Sequence, residues 1–415
     1  MSDDASADGQ PTRREYVKYG GTVVGGGLLA GCTGDGGSES TATPDSTATD
    51  SPTAATETAT GDDGAYSVTM SPMGTVEFDA VPETVMGFYP WYADMAIAVG
   101  HGDALTSLYA PEMFGGGMNN YYHHLDGVSL DWEELTDPNP GNGTDKEIFY
   151  ELDADVHLIG PVLLASQDGW SSDDVDDVAR DLGPVFGNYY STRRIEPPAR
   201  ADEYEFYTVQ EMGEKVAAVF QEQKRYRQIA AVHDELLDQI RSNLPPAEGR
   251  PTVARVWHTD GAFDTFRTAE RGIWRADIWP LEPRDAFAGK SWDNAIGRMD
   301  YEGLLEADPD VLLVMSGTTS YQNVAEIRET LADHSVGKRL SAVQNDRVYA
   351  SGAAWHQGPI MTAFGLEMTA KQLYPEQFGE WPGYVDGEPL PEIPEDEQLF
   401  DRDRLANIAT EGSDE

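Results

Sequence analysis

Tyr301-Glu302-Gly303-Leu304-Leu305-Glu306-Ala307-Asp308-Pro309-Asp310-Val311-Leu312-Leu313-Val314-Met315 holds a helix, its stop and a strand in one short run. Glu302 to Ala307 reads as helix, and Pro309, lacking an N–H, ends it. Val311 to Met315 is apolar without alternation, the pattern of a strand covered on both faces of a parallel sheet. Upstream, Lys146-Glu147-Ile148-Phe149-Tyr150-Glu151-Leu152-Asp153-Ala154-Asp155-Val156 repeats that order and leads into the strand Val156-His157-Leu158-Ile159. Two separated copies of one helix-to-strand junction predict two α/β lobes, and 415 residues suffice for both cores.

A βα rhythm surrounds each copy. Tyr66 to Val81 predicts two short strands. Thr84 to Gly87, Leu105 to Tyr109 and Val185-Phe186 predict further strands, with helices at Ala93 to Val99 and Asp173 to Asp181. On the C-terminal side Thr252 to Trp257 and Arg347 to Ala350 read as strands. Phe263 to Ala269 reads as the start of a helix, and Glu326 to Leu331 and Gly358 to Leu373 as helices. Between the two series, Tyr204 to Asn243 carries helical periodicity almost without a break, until Pro245-Pro246 stops it. A helix of that length, about 60 Å at 1.5 Å per residue, suits a spine between lobes. The expected divisions are an N-terminal lobe at 66–203, the interlobe helix at 204–244, a C-terminal lobe at 245–378 and an acidic extension at 379–415. That extension reads as extended chain with a short helix near Leu405.

Ahead of the lobes, Arg13-Arg14 and the weakly apolar stretch Gly20 to Leu29 form a targeting segment too short to span a bilayer. The paired arginines resemble a twin-arginine export signal, and Leu29-Ala30-Gly31-Cys32 resembles a lipobox. Residues 1–32 are therefore expected to be a lipoprotein signal, with Cys32 carrying the lipid on the outer face of the membrane. Residues 33–65 have no lysine, arginine or aromatic side chain and read as a flexible tether. Cys32 is the only cysteine, which excludes an internal disulfide. The 74 acidic and 28 basic residues give a formal net charge of -46, although 40% of residues are hydrophobic. Such a surface suits molar salt, where the Debye length is about 3 Å. It makes nucleic acid a poor partner.

Both junctions resemble the "E…L…PD-V" element of solute-binding proteins that serve ABC importers of iron-siderophores, haem and cobalamin. Gly358-Pro359 through Leu373-Tyr374-Pro375-Glu376-Gln377-Phe378 resembles the last helix of that family, so the resemblance spans roughly Val76 to Phe378. The first junction has Ala154 where the family pattern has proline. The resemblance, to a haloarchaeal-type lipoprotein of this family, implies a class III periplasmic-binding-protein-like fold. In it, two Rossmann-like lobes are joined by a single long helix. It further implies a monomer that is not an enzyme and has no cofactor, iron entering only as part of the transported chelate. Its partners would be an ABC permease and ATPase, with Glu147 and Glu302 docking into arginine pockets of the permease.

Ligands of doubly wound lobes bind beyond the carboxyl ends of the strands. In the first lobe this points to Tyr89, Trp91, Tyr92, Tyr109 and the loop Met113 to His124 with Tyr121, Tyr122, His123 and His124. Trp170 and the segment Asn188 to Arg194, with Tyr190, are further candidates. In the second lobe it points to Trp257, His258, Arg267, Arg271, Trp274, Arg275, Trp355 and His356. Aromatic faces can enclose a planar or macrocyclic ligand, and arginines can meet the negative charge of a ferric chelate. A ferric siderophore fits this pattern first, with cobalamin and haem as alternatives. Direct zinc or manganese binding would need histidines 101, 123, 124, 157, 258 and 356 to converge. No Gly-x-Ser-x-Gly elbow, phosphate-binding glycine loop or His-Glu-x-x-His helix is present, which leaves an exported enzyme as the less favoured alternative.

Overall fold

A computed structural model describes residues 59–60, 64–140, 143–195, 197, 204–259, 261–290 and 296–412. The signal at 1–32, with Cys32, and most of the tether lie outside the described residues. Strands β1 (Ala59–Thr60), β2 (Tyr66–Met70) and β3 (Gly74–Phe78) form a small antiparallel sheet. The N-terminal lobe follows with β4 (Val85–Gly87), α1 (Pro90–Ala98), β5 (Leu105–Ser107), α2 (Pro111–Tyr122), α3 (Lys146–Leu152), β6 (Val156–Leu158), α4 (Pro161–Ala165) and α5 (Ser172–Asp181). Its parallel sheet runs β5-β4-β6, with Thr136 bridged to Ser107 on one flank and Val185 to His157 on the other.

Helices α6 (Val209–Val219) and α7 (Gln223–Asn243) occupy the middle of the chain. They replace the single long helix expected there. The break falls at Gln221, whose φ is +57. Tyr226 of α7 packs directly over Gly213 of α6 and hydrogen-bonds Val209 O at 3.4 Å. Packing of the two helices on one another thus overrides a sequence that contains no glycine or proline at the break.

The C-terminal lobe contains β7 (Thr252–Thr259), β8 (Ala262–Phe266), β9 (Arg284–Asp285), β10 (Ile296–Met299), α8 (Tyr301–Ala307), β11 (Val311–Val314), α9 (Val324–Asp333), α10 (Ser341–Gln344), β12 (Val348–Ala350), α11 (Pro359–Leu373) and α12 (Pro375–Phe378). Its sheet runs β10-β8-β7-β11-β12, with β9 also pairing with β7. The helix start expected at Phe263 is strand β8 instead, antiparallel to β7. Gly261, at φ +80, turns the hairpin, and Asp-Gly is a strong hairpin signal.

The two junctions have the same construction. Asp145 and Asp300 cap α3 and α8, accepting from Glu147 N and Gly303 N. Both helices end on a left-handed aspartate, Asp153 at φ +45 and Asp308 at φ +38. The next aspartate staples each junction to the neighbouring strand. Asp155 accepts from Glu83 N and Thr84 N at 2.9 Å, ahead of β4, and Asp310 from Thr252 N at 2.7 Å in β7. Ala154 is buried in the place of Pro309, so its departure from the family pattern leaves the geometry intact.

The lobes meet where α1 packs against α11, both completely buried. Asp94 of α1 accepts from Tyr122 Oη at 2.6 Å and Ile360 N at 2.8 Å, so a carboxylate of one lobe caps a helix of the other. A side chain at Gly358 would collide with it. Burial pushes Asp94 up to about 7, and the donors from Tyr122, Ile360 and Met361 only partly offset this.

The acidic extension, extended and then helical near Leu405 as expected, packs against the body. Leu390, Ile393, Leu399 and Phe400 are buried, as is Leu405 on α13 (Arg402–Glu411). Arg402 forms a buried ion pair with Glu367 of α11 at 2.7 Å, and Arg404 pairs with Glu235 of α7. Among the described residues no helix is long and apolar enough to cross a membrane.

Candidate functional site

The carboxyl ends of the parallel strands bring aromatic side chains from both lobes into one closed ring. Tyr89 follows β4, Tyr109 follows β5 and Tyr189 follows the bridge at Val185. Trp274 lies in the turn beyond β8, and Trp355 follows β12. Tyr189 stacks on Tyr89 with centroids 5.5 Å apart, and Tyr89 meets Tyr109 edge-on at 5.8 Å. Tyr109 contacts Phe114 of α2 at 5.8 Å, Phe114 contacts Trp355 at 5.4 Å, and Trp355 meets Trp274 at 5.3 Å. The Arg193 guanidinium lies 4.2 Å over Trp274 and reaches Tyr189 Oη at 3.5 Å, which closes the circuit. Each aromatic pair adds about 0.5–1.5 kcal/mol beyond area burial. Trp257 and the exposed Tyr321 lie 6.0 Å from each other, and Tyr321 is close enough to Tyr109 to help raise its hydroxyl.

Tyr89, Tyr109, Tyr189, Trp257 and Trp355 are half-buried and Trp274 is buried. Burial first, then the neighbouring phenols Tyr189 and Tyr109, push the Tyr89 hydroxyl well above its ordinary range. Tyr109 is raised by burial and then by Asp137 and Tyr321. At neutral pH both are therefore uncharged hydrogen-bond donors, poorly suited to act as phenolate ligands.

The arginines divide in two. Arg267 and Arg275 both face Glu270, at 3.2 and 3.4 Å, and Arg275 Nε also donates to Arg267 O at 2.6 Å. Their charge is therefore partly spent within the loop. Arg193 has no carboxylate within ion-pair distance among the described residues, and Arg271 stacks on Trp279 at 5.1 Å.

Several expected site residues sit elsewhere. Met113 to His124, expected as a loop, is mostly helix α2, because Phe114, Met118, Tyr121 and Tyr122 supply a helical apolar face. Tyr121 is buried edge-on to His356, and Tyr122 is committed to Asp94. His123 is exposed, and His124 Nε2 bonds Leu390 O at 2.8 Å, so both histidines face the C-terminal extension. Trp91 is buried under Tyr89, and Tyr92 Oη accepts from Asn188 N at 2.7 Å. Trp170 belongs to the outer core of its lobe and donates to Thr144 O. Tyr190 packs on Tyr204, His258 on Phe263 and His356 on Phe114. No group of three or more His, Cys, Asp or Glu residues converges among the described residues. Tyr321 went unnoticed because it stands beyond the end of β11, after a loop with no aromatic pattern. Tyr189 and Arg193 belong to the candidate segment Asn188 to Arg194, where no sequence signal separates them from Tyr190.

No protein-family description and no curated protein matches the chain. Solved structures do. The chain is similar to a periplasmic binding protein from Veillonella parvula, at 15% identity and TM-score 0.53, over 75% of this chain and 90% of that one. It is similar to an iron uptake ABC transporter substrate-binding protein from Streptococcus pneumoniae, at 15% and 0.52, over 73% and 97%. A petrobactin-binding protein from Bacillus subtilis aligns at 14% and 0.52, over 77% and 99%. These likenesses establish the fold as the two-lobed class III binding-protein type.

Proposed function

We propose that this chain is the extracellular solute-binding component of an ABC importer and holds a ferric siderophore between its lobes. The observation that carries this reading is the ring of Tyr89, Tyr109, Phe114, Trp355, Trp274, Arg193 and Tyr189, built by both lobes at the strand ends. The flat rings suit the arms of a chelate, the neutral phenols donate to its oxygens, and Arg193 meets its negative charge. Two structures of the same fold, described as iron uptake and petrobactin-binding proteins, support the ligand class. Uncharged phenols favour iron that arrives already chelated over haem held by a tyrosinate.

Glu147 and Glu302 are exposed in the first turns of α3 and α8, one per lobe, as docking to a permease requires. Bidentate pairing with arginines at two such points would fix orientation. Export by the twin-arginine route and a lipid on Cys32 complete the proposal.

Native mass spectrometry of the mature protein, mixed in high salt with a ferric siderophore, haemin and cobalamin, tests the ligand. Retention of the ferric siderophore, weakened in Trp355→Ala, is expected. Retention of cobalamin or haemin instead would transfer the role to that ligand, and retention of none would overturn the reading. Charge reversal at both Glu147 and Glu302 should spare binding and abolish uptake; unchanged uptake would remove the docking assignment.

A further inference from the structure

A smaller cavity of about 90 Å³ lies apart from the aromatic ring, and none of the ring residues lines it. Its wall is drawn from the N-terminal lobe (Ser191, Arg194), the hinge helices (Gln210, His233) and the C-terminal lobe (Arg271). It shares Arg194 and Arg271 with an outer space of about 350 Å³.

Two residues of its wall, His233 and Gln210, carry buried nitrogens without partners. His233, on α7, is 5% exposed, and neither ring nitrogen has a hydrogen-bond partner; the buried Gln210 Nε2 has none either. More than nine in ten buried polar groups in proteins are bonded, and each orphan costs about 1–3 kcal/mol. The guanidiniums of Arg194 and Arg271 lie 5.8 and 5.1 Å over Phe206 and Trp279, rings that themselves line the cavity. Neither arginine has a carboxylate within ion-pair distance among the described residues, in a chain where acids outnumber bases 74 to 28.

The nearby acceptors are already engaged. Glu270 reaches only the outer space and faces Arg267 and Arg275. Thr208 Oγ1 is tied to Glu211 in the cap of α6, and Ser191 Oγ donates to Asn188 while accepting from Tyr207 N. Burial and then Arg241 hold His233 down to about 4, so at neutral pH its imidazole is uncharged and supplies one N–H. The cavity is larger than a single water needs and has room for one tetrahedral oxyanion.

We propose that this cavity binds a small inorganic anion of phosphate size, held by Arg194, Arg271, His233 and Gln210. Because its walls come from both lobes and from α6 and α7, an ion there fastens these parts to one another.

The test is long-range ¹H–¹⁵N NMR of the His233 ring in the full chain at pH 7. Inorganic phosphate, and separately chloride, is titrated at constant ionic strength against potassium gluconate, whose anion is too large for the cavity. A saturable shift of the His233 ring nitrogens with phosphate, half-saturating at a lower concentration than with chloride, is expected. In the double variant Arg194→Gln, Arg271→Gln, half-saturation should weaken about tenfold or more, as expected for lost charge-assisted hydrogen bonds. Both arginines are exposed, so the variant should fold, and Lys338→Gln, also exposed but not in the cavity wall, should leave the titration unchanged. A shift that is absent, does not saturate, or is the same in the double variant would overturn the proposal.

Discussion

Replacing Asp94 by Asn should change how the stability of this protein depends on pH. Asp94 is fully buried between the lobes, and its carboxyl is raised from 3.8 to about 7. The groups facing it are Tyr122, which donates to it, Tyr226, and the backbone N–H groups that start α11. No cation pairs with it among the described residues. A carboxyl raised on folding stabilises the native state fully below its unfolded value, and that stability is lost as pH rises towards the folded value. The window therefore runs from 3.8 to about 7. At 1.36 kcal/mol per pH unit, the loss across it is roughly 4 kcal/mol. Asn cannot ionise and keeps one oxygen, enough for either Tyr122 Oη or Ile360 N, so the variant carries a constant cost that does not vary with pH. Urea denaturation of both proteins in molar KCl, at steps from pH 4 to 8, reads the difference while surface charge is screened. The wild type should lose about 4 kcal/mol relative to the variant between pH 4 and 7 and run parallel to it above. Curves that stay parallel throughout would show that Asp94 does not titrate there and refute the reasoning.

Arg402→Met should destabilise by about 3–5 kcal/mol in the same assay, because it leaves the buried Glu367 carboxylate without its cation. The double variant with Glu367→Gln should recover much of this loss. Asp310→Ala should cost about 1–3 kcal/mol by stranding Thr252 N, and Asp155→Ala should cost a similar amount in the other lobe. Gly213→Ala should cost about 1–3 kcal/mol by forcing the buried Tyr226 ring out of place, with circular dichroism showing helix content retained.

The parts of the fold that could be read in advance are those where one local rule acts. The junctions at Asp153-Ala154-Asp155 and Asp308-Pro309-Asp310 combine a helix stop with an apolar strand, and both stand where expected. Helix α2 stands where the sequence predicts a loop: Gly115-Gly116-Gly117 and Asn119-Asn120 have poor helix propensity, yet burial of Phe114, Met118, Tyr121 and Tyr122 outweighs it. The break at Gln221 has no local signal, since tertiary packing sets it. At the strand ends, residue type pointed to these loops, while whether a side chain joins the ring or the core depended on its direction. Tyr89 faces the cleft, and Trp91, two residues on, is buried beneath it. The arginine pattern misled for a similar reason: Glu270 lies among those residues and draws in two of them.

The C-terminal extension has a mechanical consequence. Asp386 meets Asn323 and Tyr384 reaches Thr318 O in one lobe, whereas Leu390 N bonds Asn120 O in the other, and Asn120 Nδ2 itself donates to Thr318 O. The segment is thus a checkrein stitched across the seam, and wide gaping of the lobes would tear it loose. Such stitching resists any change in the spacing between the outer tips at Glu147 and Glu302. A membrane partner gripping both tips would be holding a calliper of fixed gauge, and would sense cargo through side chains at the seam more than through the swing of a hinge.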